Sequence, residues 1–247
     1  MTKRIVVVGD KFEEFASNDM VMTISTAEQI FAFEESGYRD VLFELGQGIS
    51  AERANRLIEL AEQVNRRNQL LFNQIVKCGR RHVHKRNPEN SLLSLPKKIS
   101  ERIYSADVHI DDQCELLTDH VSGQHLQGMV LIEAVRQMIL AVTEEYFSDD
   151  RESPCSFIWN GINVEYLGYA FPVATKVIYT IDDMNFSKKK RLGFSISAEV
   201  IQRDSVVCSA KSTVEVFDRS SIQRREGKMA AQAVVALQTA ALAQVQE

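Results

Sequence analysis

No run of apolar residues in this chain reaches the roughly 18–20 positions that a membrane-spanning helix requires. The first ten residues, MTKRIVVVGD, hold too short an apolar stretch for a secretion signal and no small-residue cleavage site. The four cysteines (Cys78, Cys114, Cys155, Cys208) are scattered and never form C-x-x-C, so reduced thiols in a cytoplasmic protein are expected. Together with the five histidines they never fall into ligand spacing, so no metal site is expected. IVVVGD is followed by neither G-x-G-x-x-G nor a P-loop, which argues against nucleotide binding. Positive charge is not in excess: the net charge of −5 argues against general affinity for nucleic acid. There is no internal repeat.

What is present is an ordinary globular composition, 45% hydrophobic and 26% charged, in 247 residues, enough for one large or two modest domains with a proper core. The chain is organised around residues 119–147, DHVSGQHLQGMVLIEAVRQMILAVTEEYF. This stretch opens polar and becomes a helix that is apolar around most of its circumference, which predicts burial. Glu133, Arg136 and Gln137 interrupt it at i, i+3 and i+4, and so share one side. A carboxylate on a buried helix needs partners or has a chemical task. Paired with Arg136, Glu133 stays ionised; unpaired, it could act as an acid.

Residues 1–76 alternate strand and helix, with strands expected at 4–8, 21–23, 40–45 and 69–75 and helices at 27–36 and 51–65. That order implies a small α/β domain with a parallel sheet. Residues 77–98 are rich in Lys and Arg, with Asn87-Pro88 and Pro96, and read as a basic linker. From about residue 99 the pattern turns β-rich around the central helix, with strands at 99–110, 156–166, 173–181, 193–203 and 206–217. Asn160-Gly161 marks a bend or bulge, and Arg203-Asp204 a tight connection. An antiparallel sheet with an apolar helix ahead of most of its strands is the hotdog arrangement, an α+β fold in which the sheet wraps the helix. The hotdog domain is expected over 99–218 and a C-terminal helix over 219–247, packed on a domain or a second subunit.

Several residues resemble known families. His120-Val121-Ser122-Gly123 followed by Gly128-Met129-Val130-Leu131-Ile132-Glu133-Ala134 resembles the β-hydroxyacyl-ACP dehydratases of the hotdog fold, with Val-Ser in place of Phe-Pro. A closer resemblance is to the AfsA-like hotdog family, named for A-factor (γ-butyrolactone) biosynthesis. Val83-His84-Lys85 matches its VH(K/R) entry, and Glu133-Ala134-Val135-Arg136-Gln137 its acid ahead of an R-Q pair, over about residues 82–218. The order IVVVGD, then STAEQIFAFEESGYRDVLFELG, resembles the first part of a receiver domain. Glu44 stands near the phosphoacceptor position, so the resemblance implies a degenerate, non-phosphorylated module.

The resemblance implies transfer of a β-ketoacyl group from acyl carrier protein to a small hydroxyl acceptor such as a glycerone phosphate. Alternatives are dehydration of a β-hydroxyacyl thioester, and a non-catalytic acyl-binding or scaffolding protein. His120 and Glu133 are the candidate catalytic residues; a histidine titrates near neutrality and can move a proton. The amides of Gly128 and Met129, at the positive end of the helix, are the candidate thioester or oxyanion site. Arg136, Gln137, His125 and His84 are candidate supporting residues. No bound cofactor is expected, the substrate arriving on the phosphopantetheine of acyl carrier protein or on CoA. The basic segments 77–98 and 188–191 would dock the acidic carrier or the acceptor's phosphate. The family generally carries two hotdog repeats per chain, so a single repeat implies a homodimer through the hotdog sheet, with the first domain free to meet a protein partner.

Overall fold

The computed structural model describes residues 3–148, 155–187 and 191–244. In chain order the first unit is β1 (Lys3–Val8), α1 (Glu13–Ala16), β2 (Val21–Thr23), α2 (Ile24–Ala32), β3 (Val41–Leu45) and α3 (Ala51–Gln63). Its parallel sheet has the order β2-β1-β3, and Ile5, Val7, Phe43, Ile30, Phe31 and Leu57 are buried between the sheet and its helices. Thr23 and Ser50 start α2 and α3 by accepting the backbone N–H of Thr26 and Arg53, the bond a helix's first turn cannot supply itself.

The strand expected at 69–75 does not form. Leu71 donates one hydrogen bond to Phe43, and beyond it Arg67 turns its guanidinium onto the carbonyls of Leu70 and Phe72, which a ladder would need. Gln69, buried, spends its amide on the carbonyls of Tyr38, Arg39 and Val41. Side chains here take the acceptors that a fourth strand would have used.

The second correction concerns residues 77–98, which are not a linker. Cys78, Val83, Leu92 and Leu93 lie in the main core, α4 (Arg80–Val83) packs on the central helix, and β4 (Lys97–Lys98) pairs with the next strand. The family of strands that follows is one six-stranded antiparallel sheet. It consists of β4, β5 (Ile103–Val108) and, after α5 (Glu115–Thr118) and α6 (Gly128–Tyr146), β6 (Ser156–Tyr166), β7 (Thr175–Ser187), β8 (Arg191–Gln202) and β9 (Ser205–Phe217). The order is β4-β5-β7-β8-β9-β6. The sheet curves around α6, whose Val130, Leu131, Ala134, Val135, Met138, Ile139 and Val142 are buried against Val177, Tyr179, Ile196, Ala198 and Val214. This is the hotdog arrangement.

The expected bulge falls between Trp159 and Gly161, where β6 shifts register against β9. Arg203, in left-handed conformation (φ 54°), makes the tight β8–β9 connection. Residues 99–102 turn between β4 and β5 rather than continuing one strand. The C-terminal helix is α7 (Arg219–Gln244). Its Met229, Val234, Val235 and Leu237 are exposed, and the side chains from residue 238 onward lie outside those described.

The two units share a core. Val8 and Phe12 of the first are buried among hotdog residues, and Phe15 stacks on Phe171 at 5.6 Å. Gln47, 2% exposed, donates to the Val108 and Val173 carbonyls and accepts from the Ile110 N–H, while its own N–H meets the Pro172 carbonyl. Contact is close enough that a Cβ on Gly9 would collide with the Gly48 carbonyl, and one on Gly46 with that of Pro172. Gln47→Leu would strand the buried Val108 carbonyl and the Ile110 N–H, at about 1–3 kcal/mol per unsatisfied group, while the Val173 carbonyl keeps the Thr175 hydroxyl. We expect a loss of about 2–4 kcal/mol in denaturant unfolding; a change under about 0.5 kcal/mol would show that the amide does not hold the units together.

Candidate functional site

Two clefts border α6. The first lies at its N-terminus, where the expected start at Gly128 is observed. It encloses about 590 Å3 and is lined mainly by apolar and aromatic groups, among them Leu126, Met129, Leu131, Tyr166, Leu167 and Tyr169, with His125. His125 bonds Ser122 (Nδ1–Oγ 3.0 Å) and meets Tyr169 edge-on at 5.4 Å. His120 stands behind it, ring to ring at 5.5 Å, and its buried Nε2 has no hydrogen-bond partner among the described residues. Gln127 leaves the helix start without a side-chain cap. However, the Tyr166 phenol covers Gly128: a Cβ there would lie 2.6 Å from its Oη. The open approach to the Gly128 backbone expected from sequence is occupied by this ring, whereas Met129 is exposed.

Glu133 points elsewhere. Lys85 Nζ lies 2.9 Å from its Oε1, and the Arg136 guanidinium grips both oxygens at 2.7 and 2.9 Å. Gln137 donates to Oε1 at 2.9 Å. Burial alone would raise the carboxyl's pKa, but the bonds from Arg136, Gln137 and Lys85 outweigh it and hold the group below the usual carboxylate range. Glu133 is therefore an ionised, fully engaged carboxylate. His120 and Glu133, paired in the sequence reading, are held by separate groups: no contact joins them among the described residues.

Gln137 is fully buried, donates to the Asn90 carbonyl at 2.7 Å and accepts the Leu92 N–H at 2.8 Å. These contacts tie α6 to the backbone of the segment at 90–92. Arg136 also reaches the Val83 carbonyl at 3.4 Å.

The second cleft, about 850 Å3, opens where α4, α6, β6 and the first turns of α7 meet. Arg80, Arg81, Lys85, Arg86, Arg136 and Arg219 line it with His84; Glu226 is the acid on its wall. Lys85 and Arg136 are paired with Glu133, whereas Arg80, Arg86 and Arg219 make no ion pair among the described residues. Of the other expected basic groups, Lys77 is turned away onto Asp111, Lys97 and Lys98 lie on β4, and Lys188, Lys189 and Lys190 lie outside the described residues. His84 sits in left-handed conformation (φ 52°) and places Nε2 2.9 Å from Oε1 of Glu144. His82 is half-buried on Glu145, and His109 is half-buried with its pKa lowered by burial.

Sequence reasoning missed Glu144, Tyr166, Tyr169 and Arg219. Glu144 carried a signal: at eleven positions from Glu133 it returns to the same side of the helix. The others come from elements remote in sequence and had none.

The family model for the A-factor biosynthesis hotdog domain matches residues 71–218. The chain belongs to this family. The matched range begins before the segment first read as a linker, in keeping with its place in the core. Solved structures similar to this chain include a thioesterase from Haemophilus influenzae, 13% identical, covering 50% of this chain and 77% of its own, with a TM-score of 0.38. An uncharacterised Pyrococcus horikoshii protein is 15% identical over 59% of this chain and 97% of its own, with a TM-score of 0.39. No curated protein matches the sequence. No helix among the described residues is long and apolar enough to cross a membrane.

Because the folded Glu133 has a depressed pKa, its stabilisation is present above the unfolded carboxyl value and is lost as pH falls through the folded one. Glu133→Gln should cost about 1–2 kcal/mol at pH 7, and the deficit should shrink as pH falls from about 5 toward 2. Denaturant melts of both proteins across that range check this; a deficit independent of pH would mean that packing, not charge, carries the effect.

Proposed function

We propose that this hotdog protein acts on an acyl thioester and transfers its acyl group to a small, anionic hydroxyl acceptor. One observation carries the reading: an apolar, aromatic cleft and a cationic cleft border the same side of α6. Met129 lines the first, Arg136 and Leu140 the second, and Met129, Glu133, Arg136 and Leu140 follow the i, i+4, i+7, i+11 spacing of one helix side. At 1.5 Å per residue, Met129 and Leu140 are about 16 Å apart along the axis. The acyl chain occupies the apolar cleft, and the acceptor's phosphate, or that of the phosphopantetheine or CoA carrying the thioester, lies among the arginines. Phosphate recognition suits arginine, whose planar fork of donors matches the anion's oxygens.

Transfer is preferred to dehydration because dehydration needs a proton donor, and Glu133 is held ionised by three partners. A homodimer through the hotdog sheet, whose outer strand β6 is an edge, belongs to the same proposal.

The test is intact-mass analysis of β-ketoacyl- and β-hydroxyacyl-carrier proteins incubated with the protein, each with and without glycerone phosphate. Loss of the acyl group only with the acceptor is expected. Loss without it would make the protein a thioesterase, loss of one water a dehydratase, and no mass change a non-catalytic binder. Leu167→Asp, an exposed change that puts a charge in the apolar cleft, should lower kcat/KM for long acyl chains about tenfold.

A further inference from the structure

Beneath the cationic cleft lies a carboxylate that water does not reach. The Glu144 side chain, on the last turn of α6, is 0% exposed. Its Oε1 takes the Cys155 backbone N–H at 2.7 Å and lies 2.9 Å from Nε2 of His84; the Arg81 guanidinium stands 3.8 Å from Oε2. A carboxylate that already accepts a backbone N–H and faces an arginine takes the imidazole contact as acceptor too, so Nε2 carries the hydrogen. Nδ1 is then the unprotonated nitrogen of the neutral ring, and it has no hydrogen-bond partner among the described residues.

Two further features fix the ring. Phe157 meets it edge-on at 5.5 Å, and the left-handed backbone of His84 is one that a non-glycine residue keeps only when its surroundings hold it there. His84 lines the cleft beside Arg80, Lys85, Arg86, Arg136 and Arg219. A histidine with one nitrogen committed to a buried carboxylate and the other free beside an anion site has the geometry of a general base with its orienting partner. Glu133, the acid that the sequence singled out, lacks this geometry, because both its oxygens are engaged by cations and an amide.

We propose that His84 and Glu144 are the acid–base pair of this cleft, Glu144 positioning His84 to take the proton of the acceptor's hydroxyl. This rests on the transfer reading above. As the acceptor O–H bond breaks, its proton passes to Nδ1 and the imidazolium charge lies against Glu144. The oxygen keeps the electron pair and bonds to the thioester carbonyl carbon. The C–S bond then breaks, and the leaving thiolate recovers the proton from Nδ1, so an ester and a free thiol result.

The experiment is 15N NMR of the histidine side chains in the full chain, with inorganic pyrophosphate as the anion probe. We expect His84 to show a single Nε2–H tautomer in the unmodified protein and a mixture in Glu144→Gln, whose amide can offer either its oxygen or its NH2. A purely structural role for Glu144 would leave the tautomer unchanged and would overturn the assignment. Pyrophosphate should shift the His84 resonances, and Arg86→Ala with Arg219→Ala, both at exposed positions, should weaken that response about tenfold without altering the tautomer. No shift on saturation with pyrophosphate would remove the anion site. In the mass assay, His84→Ala should lower kcat at least about a hundredfold with little change in KM for the thioester. Transfer at full rate in His84→Ala would overturn the pair while leaving the transfer reading intact. Absence of transfer in the unmodified protein would overturn that reading and with it the catalytic role, while the tautomer and the pyrophosphate response would still report the geometry.

Discussion

A helix enclosed by a sheet must find partners for the polar side chains it carries, and for Glu133, Arg136 and Gln137 those partners are one another and the neighbouring 83–92 segment. Gln137, wholly buried on α6, satisfies its amide on Asn90 and Leu92 and adds a bond to Glu133. Leaving any of these groups unpaired in the core would cost more than the net gain of an ordinary hydrogen bond. The 83–92 segment is thereby fastened to α6, and Lys85 and His84 are carried to fixed places beside it. The cationic cleft follows from this fastening: without it the arginines of α4 would stand on a free loop.

The α/β unit is built into the same body. Gln47 occupies the end of β5 as Gln137 occupies the segment beside α6, with an amide that serves both donors and acceptors of a neighbouring backbone. Glycines at 9, 46 and 48 let the loops after β1 and β3 approach to backbone contact, and Gly48 adopts φ 77° to do so. Val8 and Phe12 then complete the core on the hotdog side. The smaller sheet is thereby packed directly on the hotdog unit. A unit so integrated has little freedom to act as a detachable partner-binding module.

Much of the fold was legible because it rests on periodicity. The apolar circumference of α6, its start at Gly128, the period-two alternation of β8 and β9 and the bulge at Asn160-Gly161 are local signals that the tertiary structure reinforces. The segment 77–98 was misread because its core residues, Cys78, Val83, Leu92 and Leu93, are isolated among charges and follow no period. The strand expected at 69–75 had the right composition but lost its carbonyls to Arg67. Of the site, the sequence showed Glu133, Arg136 and Gln137 on one helix side and named His84 and His125 as supporting residues. It could not show that His84 meets Glu144, sixty positions away, or that Tyr166 covers Gly128, since neither depends on local pattern.

Two carboxylates, the half-buried Glu133 and the buried Glu144, explain how an acidic protein sustains so concentrated a positive surface. Six cations facing one cleft repel each other, and at a few ångströms in a partly desolvated setting that repulsion is substantial. Glu133 stands between Lys85 and Arg136 and holds both at hydrogen-bond distance; Glu144 stands beneath His84 and beside Arg81. Each anion neutralises charge beside the cleft, while Arg80, Arg86 and Arg219 on its lining make no ion pair among the described residues. The cleft therefore has cations whose positions are set by buried anions and cations whose charge is available to a ligand. This division also decides between the two states the sequence left open for Glu133, ionised if paired and an acid if not: a carboxylate that has to hold two cations in place cannot also give up or take a proton without releasing them.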